Sequence, residues 1–330
     1  MFMLCMGIES TAHTFGVGVA DGKGKILANA RDVYKPRKGW GIVPMDARKH
    51  HEEVAEGVLK EALKASGHEM DDADVIAFSQ GPGLPPCLYA GLNFVKELQE
   101  KTKKPVIGVN HCIAHIEIGR LTSKLKDPVT LYVSGANTQI IAYVAGKYRI
   151  FGETQDIGIG NALDKFGREA GLEFPYGPGI EELAKAGRWI GLPYTVKGMD
   201  LSFSGIVTDA IRKLQQKKEK LEDVCFSLQE TTFAMLTEVV ERAMAHTGKN
   251  EALLTGGVAA NGRLQQMLDI MCRERGAKFA VVPREYSGDN AAMIAWTGVL
   301  AKKSGQKPLD IKKADILPRW RTDQVEILWL

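Results

Sequence analysis

His111 and His115 stand four residues apart in the segment HCIAH. In a stretch of helical periodicity that spacing puts both imidazoles on one face, a single turn apart, where they can share one metal ion. A third donor comes from SGDNAAMIAW, in which Asp289 falls at the expected start of a helix. Two histidines and a carboxylate are the ligand set of iron(II) or zinc sites that keep open positions. Tyr132, at the end of an apolar run, offers a phenolate. Plainer readings stand beside these: an isolated HxxxH also describes two histidines of a polar face, and Asp289 is equally placed to cap its helix. A zinc protease does not fit, because HExxH enzymes carry a Glu beside the first His as general base and Cys112 occupies that position here. His50 and His51 are adjacent, so their side chains diverge on a helix; they read as surface or lobe-interface residues.

A second chemistry is written in small-residue turns. The stretch LCMGIESTAHTFGVGVADGKGKILANA reads strand, polar turn, strand, Gly turn, strand, and LYVSGANTQIIAYVAGKYRIF repeats that plan about 125 residues later. Ser10 and Thr11 tip the first turn, and Ser134, Asn137 and Thr138 the second. Small side chains leave backbone N–H groups open to an anion, so two such hairpins facing a cleft would clamp a phosphate. A third Gly segment, LLTGGVAANGRL, carries Gly256, Gly257 and Asn261 at a strand-to-helix turn of the kind that passes close to a nucleotide. Each alone is also an ordinary hairpin or junction.

The elements that must hold these groups alternate between apolar runs bounded by Gly or Ser and helix-period stretches, the rhythm of a mixed α/β fold. Strands are expected at Met3–Ile8, Phe15–Val19, Ile26–Ala30, Val75–Ser79, Val106–Val109, Thr130–Val133, Ile140–Val144, Tyr148–Phe151, Ala252–Leu254 and Phe279–Val282. The longest expected helices are Asp46–Ala65, Leu88–Lys101, Leu221–His246 and Asp289–Lys303, while Asp200–Gly205 reads as a loop. At 330 residues, 45% hydrophobic and 25% charged, the chain is long enough for two domain-sized cores. Lys+Arg of 43 against Asp+Glu of 40 gives a net charge of +3, so any nucleic-acid contact must use local patches. The five scattered cysteines contain no CxxC and fit reduced thiols in the cytoplasm; the opening residues lack a basic leader or a long apolar run, so no membrane is expected.

The segments GIESTAHT, FSQGPGL, GVNHCIAHIE, LYVSGANTQ, FGETQDIGIGNALDKFGREAG, LPYTVKGMDLSFSG, FSLQET, GGVAANGRL and DNAAMIA together resemble the TsaD family, archaeal and eukaryotic branch, the catalytic subunit of the KEOPS complex. The likeness runs nearly end to end. It implies an α/β ASKHA fold (actin-like ATPase, sugar kinase and Hsp70-like) with two lobes around a nucleotide cleft, the first of residues 1–121 completed by 296–330 and the second of 122–295. It also implies transfer of threonylcarbamoyl from threonylcarbamoyl-AMP to the exocyclic amine of the tRNA adenosine beside the anticodon, releasing AMP. Carried over by motif, His111, His115, Tyr132 and Asp289 would bind one divalent metal, iron(II) being usual and zinc or magnesium alternatives. Likewise Tyr132, Val133, Ser134, Gly135, Ala136, Asp164, Gly177, Glu181 and Asn261 would contact an adenine nucleotide or threonylcarbamoyl-AMP, with Ser10 and Thr11 as a phosphate loop. The implied partners are tRNA, a small kinase-like ATPase subunit and two small subunits of a KEOPS-type complex.

This chain departs from the family pattern at Ser10, Pro85, Tyr89, Ala136, Tyr176 and Ala291, several of which stand where members carry glycine. If the backbone there has positive φ, a side chain would strain the loop or close its space, altering the phosphate grip. Candidate RNA patches are Lys35, Arg37 and Lys38, then Lys101, Lys103 and Lys104, and Lys213 to Lys220. Two rival readings use the same fold: a small-molecule kinase, which gives no reason for HCIAH with Asp289, and a non-catalytic nucleotide-binding scaffold.

Overall fold

A computed structural model describes residues 3–36 and 41–330. Its chain divides into two compact units, Met1–Leu121 with Asp289–Leu330, and Thr122–Gly288. The first unit opens with a meander of β1 (Leu4–Glu9), β2 (Thr14–Asp21) and β3 (Ile26–Val33), then α1 (Pro44–Ser66), β4 (Val75–Gly81), α2 (Pro85–Thr102), β5 (Val106–Asn110) and α3 (His111–Ser123). Its sheet runs β3-β2-β1-β4-β5, antiparallel through the meander and parallel from β1 to β5. The second unit repeats this with β6 (Val129–Val133), β7 (Thr138–Val144) and β8 (Lys147–Glu153). There follow α4 (Ile159–Glu169), α5 (Tyr176–Ala184), a small hairpin of β9 (Val196–Lys197) and β10 (Asp200–Leu201), α6 (Ser204–Gln215) and α7 (Leu221–Thr247). Last come β11 (Glu251–Thr255), α8 (Gly262–Glu274), β12 (Lys278–Val281) and α9 (Arg284–Ser287). Its sheet order, β8-β7-β6-β11-β12, is that of the first unit, and β6, β11 and β12 are again parallel. The expected hairpin repeat is therefore the visible part of a whole duplicated sheet.

In the first unit α1 and α2 cover one face of the sheet. The buried positions of α1, Ala47, His51, Ala55, Val58 and Ala62, recur at helical spacing, and Pro85 opens α2 at the first helical position, where a missing N–H costs nothing. The departure at Pro85 is thus a normal helix start. The other face receives α10 (Ala291–Lys303), which lies so close that a Cβ on Gly7 would sit 2.2 Å from the Ala295 nitrogen and one on Gly18 2.5 Å from the Ala291 carbonyl carbon. With both faces covered, β1 and β2 are buried at every position. This docking assigns Asp289 and everything after it to the first unit, so the second ends at Gly288 rather than at 295.

Three further expectations change. Asp200–Leu201 pairs with Val196–Lys197 across Gly198, whose φ of 66° makes the turn, and Ser204 already begins α6, so 200–205 is not simply a loop. The last long helix starts at Ala291, leaving Asp289 outside it. His51 is not at the surface: it is fully buried, its Nε2 donating to the Ala12 carbonyl at 3.1 Å and its ring 5.6 Å from that of Phe15.

Burial, and then the neighbouring His50, push the His51 pKa from 6.5 down to about 4. The folded state therefore resists a proton that the unfolded chain accepts, so this contribution is whole above pH 6.5 and is lost as pH falls from there towards 4. Acid unfolding should show a loss of about 3 kcal/mol across that window, absent in His51→Gln, when denaturant midpoints are compared at pH 7 and pH 4.5.

Candidate metal centre and nucleotide pocket

The β5–α3 junction has no connecting loop: the strand ends at Asn110 and the helix begins at His111. Asn110 caps that helix, its Oδ1 accepting from the Cys112 and Ile113 amides at 3.0 and 3.2 Å. One turn separates His111 from His115, and their rings lie 4.7 Å apart, nearly perpendicular at 82°. Asn290, whose Oδ1 accepts from Met293 N, does the capping of α10. The capping alternative for Asp289 is thereby removed, and its carboxylate turns to the histidines instead: Oδ1 is 3.3 Å from His111 Nε2 and 3.5 Å from His115 Nε2.

One donor atom from each of His111, His115 and Asp289 lies within 4.8 Å of the others, with both histidines buried. Two neutral imidazole nitrogens and a carboxylate oxygen at such separations fit a divalent transition ion with positions left for water or substrate. The back of the site fits as well. His111 Nδ1 donates to Glu9 Oε2 at 3.0 Å, the carboxylate–histidine arrangement that fixes which ring nitrogen faces a metal. Burial opposes charge on His111, but Glu9 and Asp289 outweigh it and hold its pKa well above the ordinary imidazole value. For His115 burial prevails and lowers the pKa, while the Asp289 carboxyl, despite its burial, is held well below the usual range by His111. The negative field that draws a proton to His111 would draw a cation equally, the ion displacing the proton. At the rim, half-exposed His13 has Nδ1 3.9 Å from Asp289 Oδ2, and Arg31 Nη1 donates to the Asp289 carbonyl at 3.3 Å.

The Ser10–Thr11 turn behaves otherwise than expected. The Ser10 amide donates to Ser79 Oγ at 3.0 Å, and the amide and hydroxyl of Thr11 both donate to Glu9 Oε1, at 2.7 and 2.5 Å. Both residues are buried, so this turn offers no open amides to a phosphate; it braces Glu9. In the second unit the matching turn is open. Gly135 and Ala136 are exposed, and their N–H groups make no hydrogen bond among the described residues. The glycines of the departures are not missed on backbone grounds: among the described residues, positive φ outside glycine occurs at Lys103, Lys124, Ala145 and Lys217 only. Space is made instead, since Gly91 stands against the Ser10 side chain and Gly167 against that of Tyr176.

A pocket of ≈ 390 Å³ lies within the second unit, a volume suited to a small organic ligand. Asp164 from α4, Gly177 and Glu181 from α5, and Asn261 before α8 all line it. Gly256, at φ 99°, lets this turn pass the end of β6, where a Cβ would meet the Val133 oxygen at 2.2 Å. Asn261 caps α8 through Oδ1 and is steadied by Gln229, and Glu181 Oε1 accepts from the Gly262 amide at 2.8 Å. Burial raises the Asp164 pKa, with Arg168 pulling against it. Tyr132 and Val133 are fully buried on β6, so the backbone beyond them, not the phenol, is what that strand presents to solvent.

The family model for TsaD, tRNA N6-adenosine threonylcarbamoyltransferase, matches residues 25–296. The chain belongs to the TsaD family. The tRNA N6-adenosine threonylcarbamoyltransferase of Thermococcus kodakarensis is 52% identical over 99% of this chain and 100% of its own length, and that of Thermofilum pendens 51% over 98% and 96%. A probable bifunctional tRNA threonylcarbamoyladenosine biosynthesis protein of Methanocaldococcus jannaschii is 52% identical over 99% of this chain, which spans 61% of that longer protein. Among solved structures, Thermococcus kodakarensis HypF superposes with a TM-score of 0.65 at 13% identity, covering 92% of this chain and 48% of that one. The activator of the 2-hydroxyisocaproyl-CoA dehydratase from Clostridium difficile gives 0.53 at 11%, covering 96% and 99%. At such identities these two speak for the fold alone, and that fold is the expected ASKHA type.

Of the residues expected from the TsaD likeness, the structure gathers His111, His115 and Asp289 into one cluster and Asp164, Gly177, Glu181 and Asn261 into one pocket. Glu9 and Asn110 were missed. A carboxylate ending a buried strand and an Asn immediately before a helix are both readable signals, the first demanding a partner and the second marking a cap. Lys35, Lys101, Lys103, Lys217, Lys218 and Lys220 are exposed, and Lys104 Nζ donates to the Asp71 carbonyl; Arg37 and Lys38 lie outside the described residues. No described helix is long and apolar enough to cross a membrane.

Proposed function

We propose that this chain transfers threonylcarbamoyl from threonylcarbamoyl-AMP to N6 of the tRNA adenosine beside the anticodon, releasing AMP. The observation that carries this reading is the meeting of His111, His115 and Asp289 within 4.8 Å in a chain of this family. Those three residues would hold a divalent ion, iron(II) by the family resemblance. Such an ion, when bound, supplies Lewis-acid polarisation and charge neutralisation for a carbonyl–phosphate anhydride. The protein's own groups supply the rest. Asp164 and the free oxygen of Glu181 accept from ribose hydroxyls, Asn261 fixes the floor of the pocket, and the Gly135 and Ala136 amides donate to an anion. The adenosine amine attacks the carbamoyl carbon, the carbon–oxygen bond to phosphate breaks with its electron pair leaving on AMP, and the amine loses one proton.

Binding of tRNA would use the exposed lysines of 101–104 and 213–220, with help from partner subunits of a KEOPS-type complex, because +3 is too small a net charge to hold tRNA strongly. The experiment is nucleoside mass spectrometry of unmodified tRNA incubated with this protein, threonylcarbamoyl-AMP and those partners. Threonylcarbamoyladenosine formed in step with AMP is the expected result. AMP release without modified nucleoside would turn the reading towards hydrolysis, and neither product would favour a nucleotide-binding scaffold.

A further inference from the structure

The segment after α10 takes no part in the proposed chemistry, yet it is bonded to the start and the middle of the helix that carries the two histidines. Asn110, 2% exposed, caps α3 with its oxygen and gives its amide nitrogen to the Trp320 carbonyl at 3.0 Å. Two residues beyond His115, Glu117 is also 2% exposed; its Oε1 accepts from Trp329 Nε1 at 3.0 Å and its Oε2 from Arg120 at 2.9 Å. The same segment is tied to the end of β4, where Gln80 Nε2 donates to the Asp315 carbonyl at 2.7 Å and the Leu317 amide to the Gln80 carbonyl at 2.8 Å. Gly83, in the turn that follows, donates to the Pro318 carbonyl at 3.2 Å. A space of ≈ 200 Å³ remains among Asn110, Ile113, Trp320, Val325 and Trp329, beside buried Thr322 and Ile327.

Resting on the metal reading above, we propose that Asn110 and Glu117 are positioning residues of the metal centre, through which the strap Asp315–Trp329 sets the place of α3. The physical case is that α3 brings two of the three donors, and a small turn or slide of that helix separates them from Asp289. A buried carboxylate shared between an indole N–H and a guanidinium resists displacement, because losing the guanidinium leaves charge uncompensated and losing the indole leaves a buried oxygen without its donor. Two residues from His115 on the same helix, Glu117 points to a different side of α3 from the ligand, so its influence would pass through helix position.

Trp329→Phe removes one N–H and keeps the ring's bulk; Glu117→Gln keeps an acceptor for that N–H and loses the charge facing Arg120. Both are compared with the unchanged chain for cobalt(II) affinity by absorption titration well below the unfolding temperature, for hydrogen exchange of the α3 amides, and for the melting point of metal-free protein. Trp329→Phe should weaken cobalt binding by about tenfold, the worth of one buried hydrogen bond to a charged group, shift the cobalt absorption bands and speed exchange in α3, with Glu117→Gln showing the smaller change of affinity. A lowered melting point with cobalt affinity, bands and exchange unaltered would overturn the proposal, making the strap a cover only. An unchanged chain that binds no cobalt would instead defeat the metal reading itself, which separates the two failures.

Discussion

Replacing His111 and His115 together by alanine should leave the chain without bound metal and slow threonylcarbamoyl transfer by about three orders of magnitude, the kinetic equivalent of several kcal/mol of lost charge stabilisation. The expectation follows from the geometry of Asp289. Its Oδ1 faces the two Nε2 atoms, while its Oδ2 lies 3.9 Å from Nδ1 of half-exposed His13. With both imidazoles gone Asp289 alone remains of the three gathered donors, and one such oxygen donor does not retain a transition metal against water. Both histidines are buried, so the double change also opens space in the first unit. Asp289→Asn avoids that difficulty, since it keeps the volume and removes the charge. Metal content by plasma mass spectrometry and transfer measured on the same preparation should fall together in both variants. A metal-free double variant with undiminished transfer would show that the cluster is structural.

The second large effect belongs to Glu9. This side chain is fully buried and hydrogen-bonded to two residues: Oε2 holds His111 Nδ1, and Oε1 takes both donors of Thr11. Glu9→Gln replaces a charged acceptor behind the ligand with a neutral amide, and outer-shell changes of this kind cost about tenfold to a hundredfold in metal affinity or activity. Glu9→Ala should cost more, because it also strands the buried Thr11 amide, a further penalty of about 1–3 kcal/mol in stability. Competition with a chromophoric chelator measures the first quantity and urea unfolding the second. Equal affinity in Glu9→Gln and the unchanged chain would mean that His111 is oriented by its helix alone.

The parts legible in the sequence were those encoded locally. Alternating apolar runs around small turns gave both meanders, and HxxxH on a helical stretch gave two donors of one centre, because each depends on spacing within a dozen residues or so. Asp164, Gly177 and Glu181 came from family resemblance, and Asn261 also from the Gly-rich strand-to-helix turn before it; nothing in the spacing of the four brings them to one pocket. What escaped local reading depends on distant partners. Glu9 and His111 are joined across the sheet, Asn110 reaches Trp320, and Glu117 reaches Trp329, with no periodicity to announce any of them. The Ser10–Thr11 turn looked like its counterpart at Ser134–Asn137, but the Ser79 hydroxyl and the Glu9 carboxylate turned its amides inward. The departures from glycine likewise could be judged only with the backbone in view, since ordinary φ at Ser10, Ala136, Tyr176 and Ala291 removes the strain that their composition suggested.

The His111–His115–Asp289 cluster is proposed to serve tRNA threonylcarbamoylation through a bound divalent ion. The most direct test is to strip the purified protein with a chelator, divide it, restore iron(II) to one half, and measure threonylcarbamoyladenosine in tRNA from each. The stripped half should lose transfer while remaining folded, restored iron(II) should return it, and the His111→Ala/His115→Ala chain should gain nothing from the same addition. Full transfer by stripped, metal-free protein would contradict that role.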